Sequence, residues 1–236
     1  MPLRIGVSNF HSETLAAPSS FFSLIFVGNN SVTNMKIFCI GRNYADHAKE
    51  MNSPLPSEPM VFMKPPTALL INNDPFYIPE WSEEVHYEGE IVLRVCKNGK
   101  YVQPEFAHTY YDKIAFGIDF TARDVQSRLK ANGHPWEIGK GFDNSAAVSQ
   151  FLDLDSRSTA PVTIETRLND ETVQSSDSSH MIFEFDRLIC HLSMYFTIQQ
   201  GDYIFTGTPA GVGKVSIGDK IDGYLNGQHL LTCDIK

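Results

Sequence analysis

Seven short runs rich in β-branched and aromatic residues dominate the chain, and they constrain its fold more than any other feature. The runs are Ile37–Ile40, Val61–Met63, Ile91–Val95, Ile114–Phe120, Val162–Leu168, Tyr203–Thr206 and Leu230–Ile235. Their length and composition are typical of β-strands. Asn169-Asp170 and Asn226-Gly227 lie between strand-like runs, at places where hairpin turns are expected.

Helical patterns are few and irregularly spaced among these runs. Helices are predicted over Asp46–Met51, Ala122–Asn132 and Ile182–Phe196. The second ends before Gly133, with Pro135 beyond it, which is a normal helix stop. The third has apolar residues at three- and four-residue steps, which predicts an amphipathic helix packed on a sheet. Because strands and helices do not alternate regularly, a doubly wound parallel sheet is disfavoured, and we expect one β-rich α+β domain.

The charge of the chain excludes two classes of partner. Its 236 residues include 28 Asp and Glu against 19 Lys and Arg, for a net charge of −9. A nucleic-acid partner is not expected, because a phosphate backbone selects clustered Lys and Arg. The acid excess also argues against an anionic membrane surface. The longest apolar run, Phe21–Val27 with Ser23 inside it, is too short to span a bilayer.

The cysteines and the first residues bear on location and domain bounds. A disulfide framework or zinc knuckle needs clustered cysteines, whereas the four here are scattered: Cys39, Cys96, Cys190 and Cys233. We therefore expect free thiols in a reducing compartment, the cytoplasm. Residues 1–34 lack the basic start of a signal peptide and the arginines of a transit peptide. We interpret them as an N-terminal extension and place the single domain at residues 35–236.

Three acidic residues lie in or beside apolar strand patterns. Glu88 and Glu90 share a face, because residues two apart in a strand point the same way. Adjacent carboxylates repel by roughly 1 kcal/mol or more unless a cation lies between them. Asp119 interrupts another apolar strand, where an unpaired carboxylate is costly. Such oxygens suit Mg²⁺ or Mn²⁺, and sometimes Ca²⁺. The alternative is a solvated edge strand, with Asp119 capping the next helix.

Two further pairs are three residues apart and so share a helix face. A carboxylate at Glu50 would orient the imidazole of His47 and raise its basicity, which suits a general base acting on water. The alternative is an exposed polar helix turn. Arg123 and Gln126 form either a clamp for a carboxylate ligand or the polar face of their helix.

Three further observations give little information about function by themselves. Gly207–Lys214 resembles a phosphate loop, but Val212 stands where that loop needs glycine and Val215 where it needs Ser or Thr. No G-x-S-x-G sequence supports a serine hydrolase. Lys140 lies between two glycines, a setting without a specific chemical meaning.

Taken together, these segments resemble the fumarylacetoacetate hydrolase family, most nearly its short, single-domain acylpyruvate hydrolase members. The similarity runs from Met35 to the C-terminus and is strongest over five segments in matching order: Gly41–Glu50, His86–Val92, Asp119–Gln126, Gly139–Phe142 and Thr206–Gly213. The resemblance implies a mixed β-sandwich or β-roll with a few helices. It also implies a Mg²⁺ or Mn²⁺ cofactor and a homodimer.

The resemblance further implies roles for individual residues. The family's metal ligands correspond to Glu88, Glu90 and Asp119. Its histidine–glutamate dyad, carried on a mobile lid, corresponds to His47 and Glu50, and its active-site lysine to Lys140. Positions that line the substrate pocket of relatives correspond to Arg123, Gln126 and Thr208, and positions at the pocket mouth to Arg42 and Lys64.

The resemblance implies hydrolysis of a carbon–carbon bond in an acylpyruvate, such as fumarylpyruvate or acetylpyruvate, to pyruvate and a carboxylic acid. His47, oriented by Glu50, would activate water, and the metal with Lys140 would stabilise the pyruvate enolate. The alternative is oxaloacetate decarboxylation, or tautomerisation or isomerisation of a 2-oxo diacid, at the same metal–enolate site. A metal-stabilised scaffold without catalysis is a third hypothesis. A metal with Arg123 and Lys140 would make the pocket locally positive, so the acidic net charge does not exclude an anionic ligand.

Overall fold

Short strands form most of the regular structure in the computed structural model, which describes residues 35–50 and 54–236. The strands are β1 (Ile37–Gly41), β2 (Met60–Lys64), β3 (Leu69–Leu70), β4 (Val85–Tyr87), β5 (Gly89–Val95), β6 (Tyr111–Asp119), β7 (Thr121–Ala122), β8 (Ala146–Val148), β9 (Leu152–Asp153), β10 (Thr163–Leu168), β11 (Glu171–Asp177), β12 (Tyr203–Phe205), β13 (Gly213–Lys214), β14 (Lys220–Leu225) and β15 (Gln228–Asp234). Every predicted strand is present, and the expected β-rich fold with few helices is confirmed. The predictions for residues 1–34 lie outside the described residues.

Five short α-helices accompany the strands in the part of the chain that the structure describes. They are α1 (Ala45–Glu50), α2 (Pro104–Ala107), α3 (Arg123–Ala131), α4 (Glu137–Lys140) and α5 (Phe185–Tyr195). The three predicted helices correspond to α1, α3 and α5, although Met51, the predicted end of the first, lies outside the described residues. Among the residues that the structure describes, no helix combines the length and apolar character needed to cross a membrane.

The strands form three sheets. The main sheet has eight strands in the order β2-β1-β12-β5-β6-β8-β3, with β9 paired to β6. It is mixed, because β1–β12 and β3–β8 pair in parallel while β5 and β6 are antiparallel. A four-stranded sheet has the order β11-β10-β14-β15, and a three-stranded sheet the order β13-β4-β7. The chain therefore leaves the small sheet at β4 and enters the main sheet at β5.

Alternating side chains pack both faces of the main sheet. On β1, Phe38 and Ile40 enter the larger core, whereas Ile37 and Cys39 enter a second cluster on the opposite face. The four-stranded sheet approaches the main sheet closely at Gly223, where an added Cβ would overlap the ring of Phe116. Glycine at that position therefore permits close packing of β14 on β6.

Asn43 ties the segment after β1 to the segment before α5. Its side chain accepts a hydrogen bond from Phe183 N at 2.8 Å and donates to Phe183 O at 3.0 Å and to Thr206 O at 2.8 Å. These bonds hold Phe183 outside the helix. They explain why α5 begins at Phe185, three residues after the predicted start at Ile182.

We expect Asn43→Ala to lower the free energy of unfolding by about 2–4 kcal/mol, because it leaves buried backbone groups without partners. Urea denaturation measures the effect. Asn132→Ala is a matched control, because that side chain is exposed and donates to Arg128 O in the helix that it follows. An equal loss of stability in both variants would contradict this role of Asn43.

Candidate functional site

Three buried carboxylates meet where β5 begins and β6 ends. Glu88 lies between β4 and β5, Glu90 is on β5 and Asp119 ends β6. The pairing of Glu90 with Gly117 brings the two strand ends side by side. One carboxylate oxygen of each residue lies within 4.8 Å of the others. Asp119 is 0% exposed, Glu90 2% and Glu88 6%, so this is not a solvated strand edge.

Lysine and arginine side chains partly compensate the charge of these three carboxylates, which we call the triad. Lys140 Nζ donates to Glu88 Oε2 and to Asp119 Oδ2, each at 2.8 Å. Arg123 donates through Nη2 to Glu88 Oε1. Glu90 instead accepts a hydrogen bond from the backbone N–H of Gly207 at 2.7 Å. Within the described residues, Glu90 makes no ion pair.

The triad carboxylates differ in how readily they ionise. Burial opposes ionisation of Glu88, but the positive charges of Lys140 and Arg123 outweigh it and hold the pKa of Glu88 well below its usual range. Burial and the charges of Asp119 and Glu88 raise the pKa of Glu90 well above its usual range. A buried carboxylate with no cation of its own, beside two others, indicates a place where a bound cation would be stabilised.

The donor set fits a divalent metal ion. Asp119 Oδ1 is buried and accepts no hydrogen bond, although Lys64 Nζ lies 2.8 Å away. Glu90 likewise has no cationic partner within the described residues. Carboxylate oxygens are the ligands that Mg²⁺ and Mn²⁺ prefer in proteins. The residues present therefore suit such an ion.

The predicted dyad is assembled on α1. His47 Nδ1 lies 3.1 Å from Glu50 Oε2, and the histidine is buried. Burial raises the pKa of Glu88, and the charges of Lys140, of Arg123 and then of a protonated His47 lower it, so the imidazole lies near the triad. A carboxylate-oriented imidazole beside a candidate metal site can transfer protons to and from a ligand bound there.

The glycine-rich segment Gly207–Lys214 links the dyad to the triad. The N–H of Gly207 donates to Glu90, and the N–H of Gly211 donates to the carboxylate of Glu50 at 3.1 and 3.3 Å. The φ angles of the two glycines are +103° and +101°, a region that residues with a β-carbon rarely adopt. Sequence reasoning missed both backbone donors, and the glycine spacing was the only available signal.

Lys140 reaches the triad from the end of α4. The side chain is 3% exposed, and it also donates to Thr121 Oγ1 at 2.6 Å. Glycine at position 139 allows α4 to approach α3, because an added Cβ would lie 3.0 Å from Gln126 N. The two glycines that flank Lys140 in the sequence therefore belong to a packed helix end.

The residues predicted to line the substrate pocket fall into two groups. Arg123 and Gln126 are together on α3, with Arg123 Nη1 donating to Gln126 Oε1 at 2.7 Å. The hydroxyl of Thr208 is engaged within the protein, because it donates to Gly89 O and accepts from Gln174 Nε2, both at 2.8 Å. The roles of these residues toward a substrate remain predictions.

The structure places the two predicted pocket-mouth residues differently. Lys64 is 2% exposed, and its ammonium donates to the carbonyls of Phe120, Lys140 and Ser145. It therefore lies beneath the triad rather than at an open mouth. Arg42 follows β1 with a φ of +58° and is only partly buried. Its substrate role remains a prediction.

Comparison with known proteins shows the family. The model of the fumarylacetoacetate (FAA) hydrolase C-terminal domain matches residues 36–236. The mitochondrial oxaloacetate tautomerase FAHD1 of Bos taurus is 38% identical over 193 residues, 81% of this chain and 87% of the relative. Oxaloacetate tautomerase YcgM of Escherichia coli is 36% identical over 199 residues, 84% of this chain and 91% of the relative.

The solved structures agree with this relationship. A fumarylpyruvate hydrolase from Pseudomonas aeruginosa, in complex with Mn²⁺ and pyruvate, superposes with a TM-score of 0.80 at 33% identity. The match covers 85% of this chain and 88% of that one. Fold and sequence therefore agree along nearly the whole described chain. The chain belongs to the fumarylacetoacetate hydrolase family of enzymes.

Proposed function

We propose that this site moves a proton at the carbon beside the 2-oxo group of a 2-oxo acid, with Mg²⁺ or Mn²⁺ as cofactor. The observation that carries the proposal is the position of the His47–Glu50 pair, 3.1 Å between Nδ1 and Oε2, beside a buried triad of carboxylates. A base fixed next to a site of high cation affinity is what enolisation requires.

Glu88, Glu90 and Asp119 would hold the metal ion, which when bound supplies Lewis-acid stabilisation of negative charge on the 2-oxo oxygen. His47 would accept the proton from carbon, and Glu50 would stabilise the resulting imidazolium. The ammonium of Lys140, buried among the triad, adds a second positive charge at the same place.

The first candidate activity is keto–enol tautomerisation of oxaloacetate. In this reaction a proton leaves carbon 3 of the keto form and one is returned to the enol oxygen, so no bond to water forms and the composition is unchanged. His47 alone can carry the proton in both directions. The bovine and Escherichia coli relatives, 38% and 36% identical, bear this activity in their names, and this favours it.

The second candidate activity is hydrolysis of an acylpyruvate. His47 would take a proton from water, and the hydroxide would add to the distal carbonyl. The carbon–carbon bond then breaks, its electron pair passes to the pyruvate enolate, and a proton on that enolate gives pyruvate plus a carboxylic acid. The carboxylate-oriented imidazole suits this water activation, and the similarity to a solved fumarylpyruvate hydrolase supports it.

A substrate panel tests both candidates. Oxaloacetate, acetylpyruvate and fumarylpyruvate are each incubated with the purified chain, and loss of enol absorbance and formation of pyruvate are followed together. Absorbance loss without pyruvate indicates tautomerisation, whereas pyruvate formation indicates cleavage or decarboxylation. We expect a chelator to lower the rate by about a hundredfold or more, and Mg²⁺ or Mn²⁺ to restore it. No metal-dependent conversion of any substrate would overturn the proposed function.

A further inference from the structure

The face of α3 that carries Arg123 and Gln126 extends to a third polar residue. Lys130 follows them at the spacing i, i+3, i+7, which places all three on one side of the helix. The helix rise puts Lys130 about 10 Å along the axis from Arg123, which bonds to the triad. These three residues form a polar stripe, which leads from the triad toward the exposed end of α3.

Two aromatic rings border this stripe. Lys130 Nζ lies 5.9 Å from the centre of the Trp136 ring, and the Trp136 and Phe62 ring centres are 6.1 Å apart. The Phe62 ring in turn lies 5.1 Å from Lys140 Nζ. The two lysine ammonium groups thus stand at opposite ends of one aromatic wall, Lys140 buried within the triad and Lys130 exposed.

The outer end of the wall is locally positive. Partial burial and the positive charges of Arg42 and Arg123 lower the pKa of Lys130, although Glu88 acts in the opposite direction. A bound anion is stabilised where several positive side chains lie near one another. The positive charge of Lys130 at the outer end of this aromatic wall, with Lys140 at the inner end, suits a ligand that carries an anionic group at each end.

We propose that Lys130 binds the remote carboxylate of a 2-oxo dicarboxylic acid longer than four carbons, whose 2-oxo end lies at the triad. The position of the 2-oxo end rests on the proposed function. The four-carbon chain of oxaloacetate is too short to reach both ends of the stripe. Lys130 therefore sets a preference among longer substrates and leaves the handling of oxaloacetate to the groups near the triad.

The test uses two ligands of equal length that differ in the remote carboxylate alone, 2-oxoadipate and 2-oxohexanoate. Calorimetric titration of the full chain loaded with Mn²⁺ is expected to show about fivefold tighter binding of 2-oxoadipate, the size of one partly exposed ion pair. Lys130→Met should abolish that preference, and Lys130→Arg should retain most of it. Arg128→Met, which removes the same charge from another face of α3, should leave it unchanged.

Turnover separates this inference from the proposed function. In Lys130→Met, the ratio of kcat/KM for fumarylpyruvate to that for acetylpyruvate should fall about fivefold, through KM. A preference for 2-oxoadipate that persists in Lys130→Met, or is lost equally in Arg128→Met, would overturn the role of Lys130. A preference lost only in Lys130→Met, in a protein that converts no substrate, would support that role and overturn the proposed function instead.

Discussion

Asp119→Asn is expected to lower kcat/KM by roughly a thousandfold and to remove the bound metal ion, because a charged ligand is lost from the centre of the triad. The same change weakens the ion pairs of Asp119 with Lys140 and Lys64, both 2.8 Å long. Metal content by elemental analysis and steady-state kinetics check the two effects. Asp112→Asn is the control, since Asp112 is exposed at the other end of the same strand.

Glu90→Gln tests the same site with less disturbance of the fold, because Glu90 makes no ion pair within the described residues. The side-chain amide oxygen of the introduced glutamine can still accept the hydrogen bond from Gly207 N. A thermal melt shows whether each variant is folded. Normal activity and normal metal content in a folded Glu90→Gln or Asp119→Asn protein would rule out the triad as the metal site.

Glu50→Gln is expected to reduce kcat by about 10²- to 10⁴-fold without changing the metal content, because the imidazole of His47 loses the carboxylate that orients it and stabilises its charge. His47→Asn should have at least as large an effect. Asp46→Asn is a matched control on α1, where Asp46 is exposed and pairs with exposed Lys49 at 2.9 Å. If Glu50→Gln turns over substrate as fast as Asp46→Asn, the dyad is not the proton-transfer group.

The strands and the acidic residues were predictable because their signals are local. The Glu88–Glu90 alternation and the acidic interruption at Asp119 show in the sequence as polar residues in apolar strand patterns. Hairpin turns were predictable for the same reason, since Asn169, Asp170 and Asn226 all have positive φ values. Strand β11 was missed because it lies at the edge of its sheet and is largely polar.

The connections within the site could not be predicted because they join distant parts of the chain through the backbone. Gly207 N reaches Glu90 across 117 residues, and Gly211 N reaches Glu50 across 161. Because every residue except proline carries a backbone N–H, the residue type does not show which of these groups acts as a donor in the site. Lys64 illustrates the converse, since a lysine that the resemblance placed at the pocket mouth is buried, with its ammonium bonded to backbone carbonyls.

The net charge of −9 describes the surface of the chain and not its site. Around the triad, the cations Lys64, Lys140 and Arg123 offset the three carboxylates, and Lys130 adds positive charge at the outer end of α3. A bound divalent ion would make this region positive overall. An acidic protein can therefore present a pocket suited to a dicarboxylate anion.

The central claim is that the triad and dyad together move a proton at the carbon beside a 2-oxo group. Exchange of the methyl protons of pyruvate in D₂O, followed by NMR, measures that step alone and is common to both candidate activities. We predict exchange that requires Mg²⁺ or Mn²⁺ and falls by about a hundredfold or more in His47→Asn. Exchange that is absent from the metal-loaded protein, or that is unaffected by a chelator and by His47→Asn, would contradict the claim.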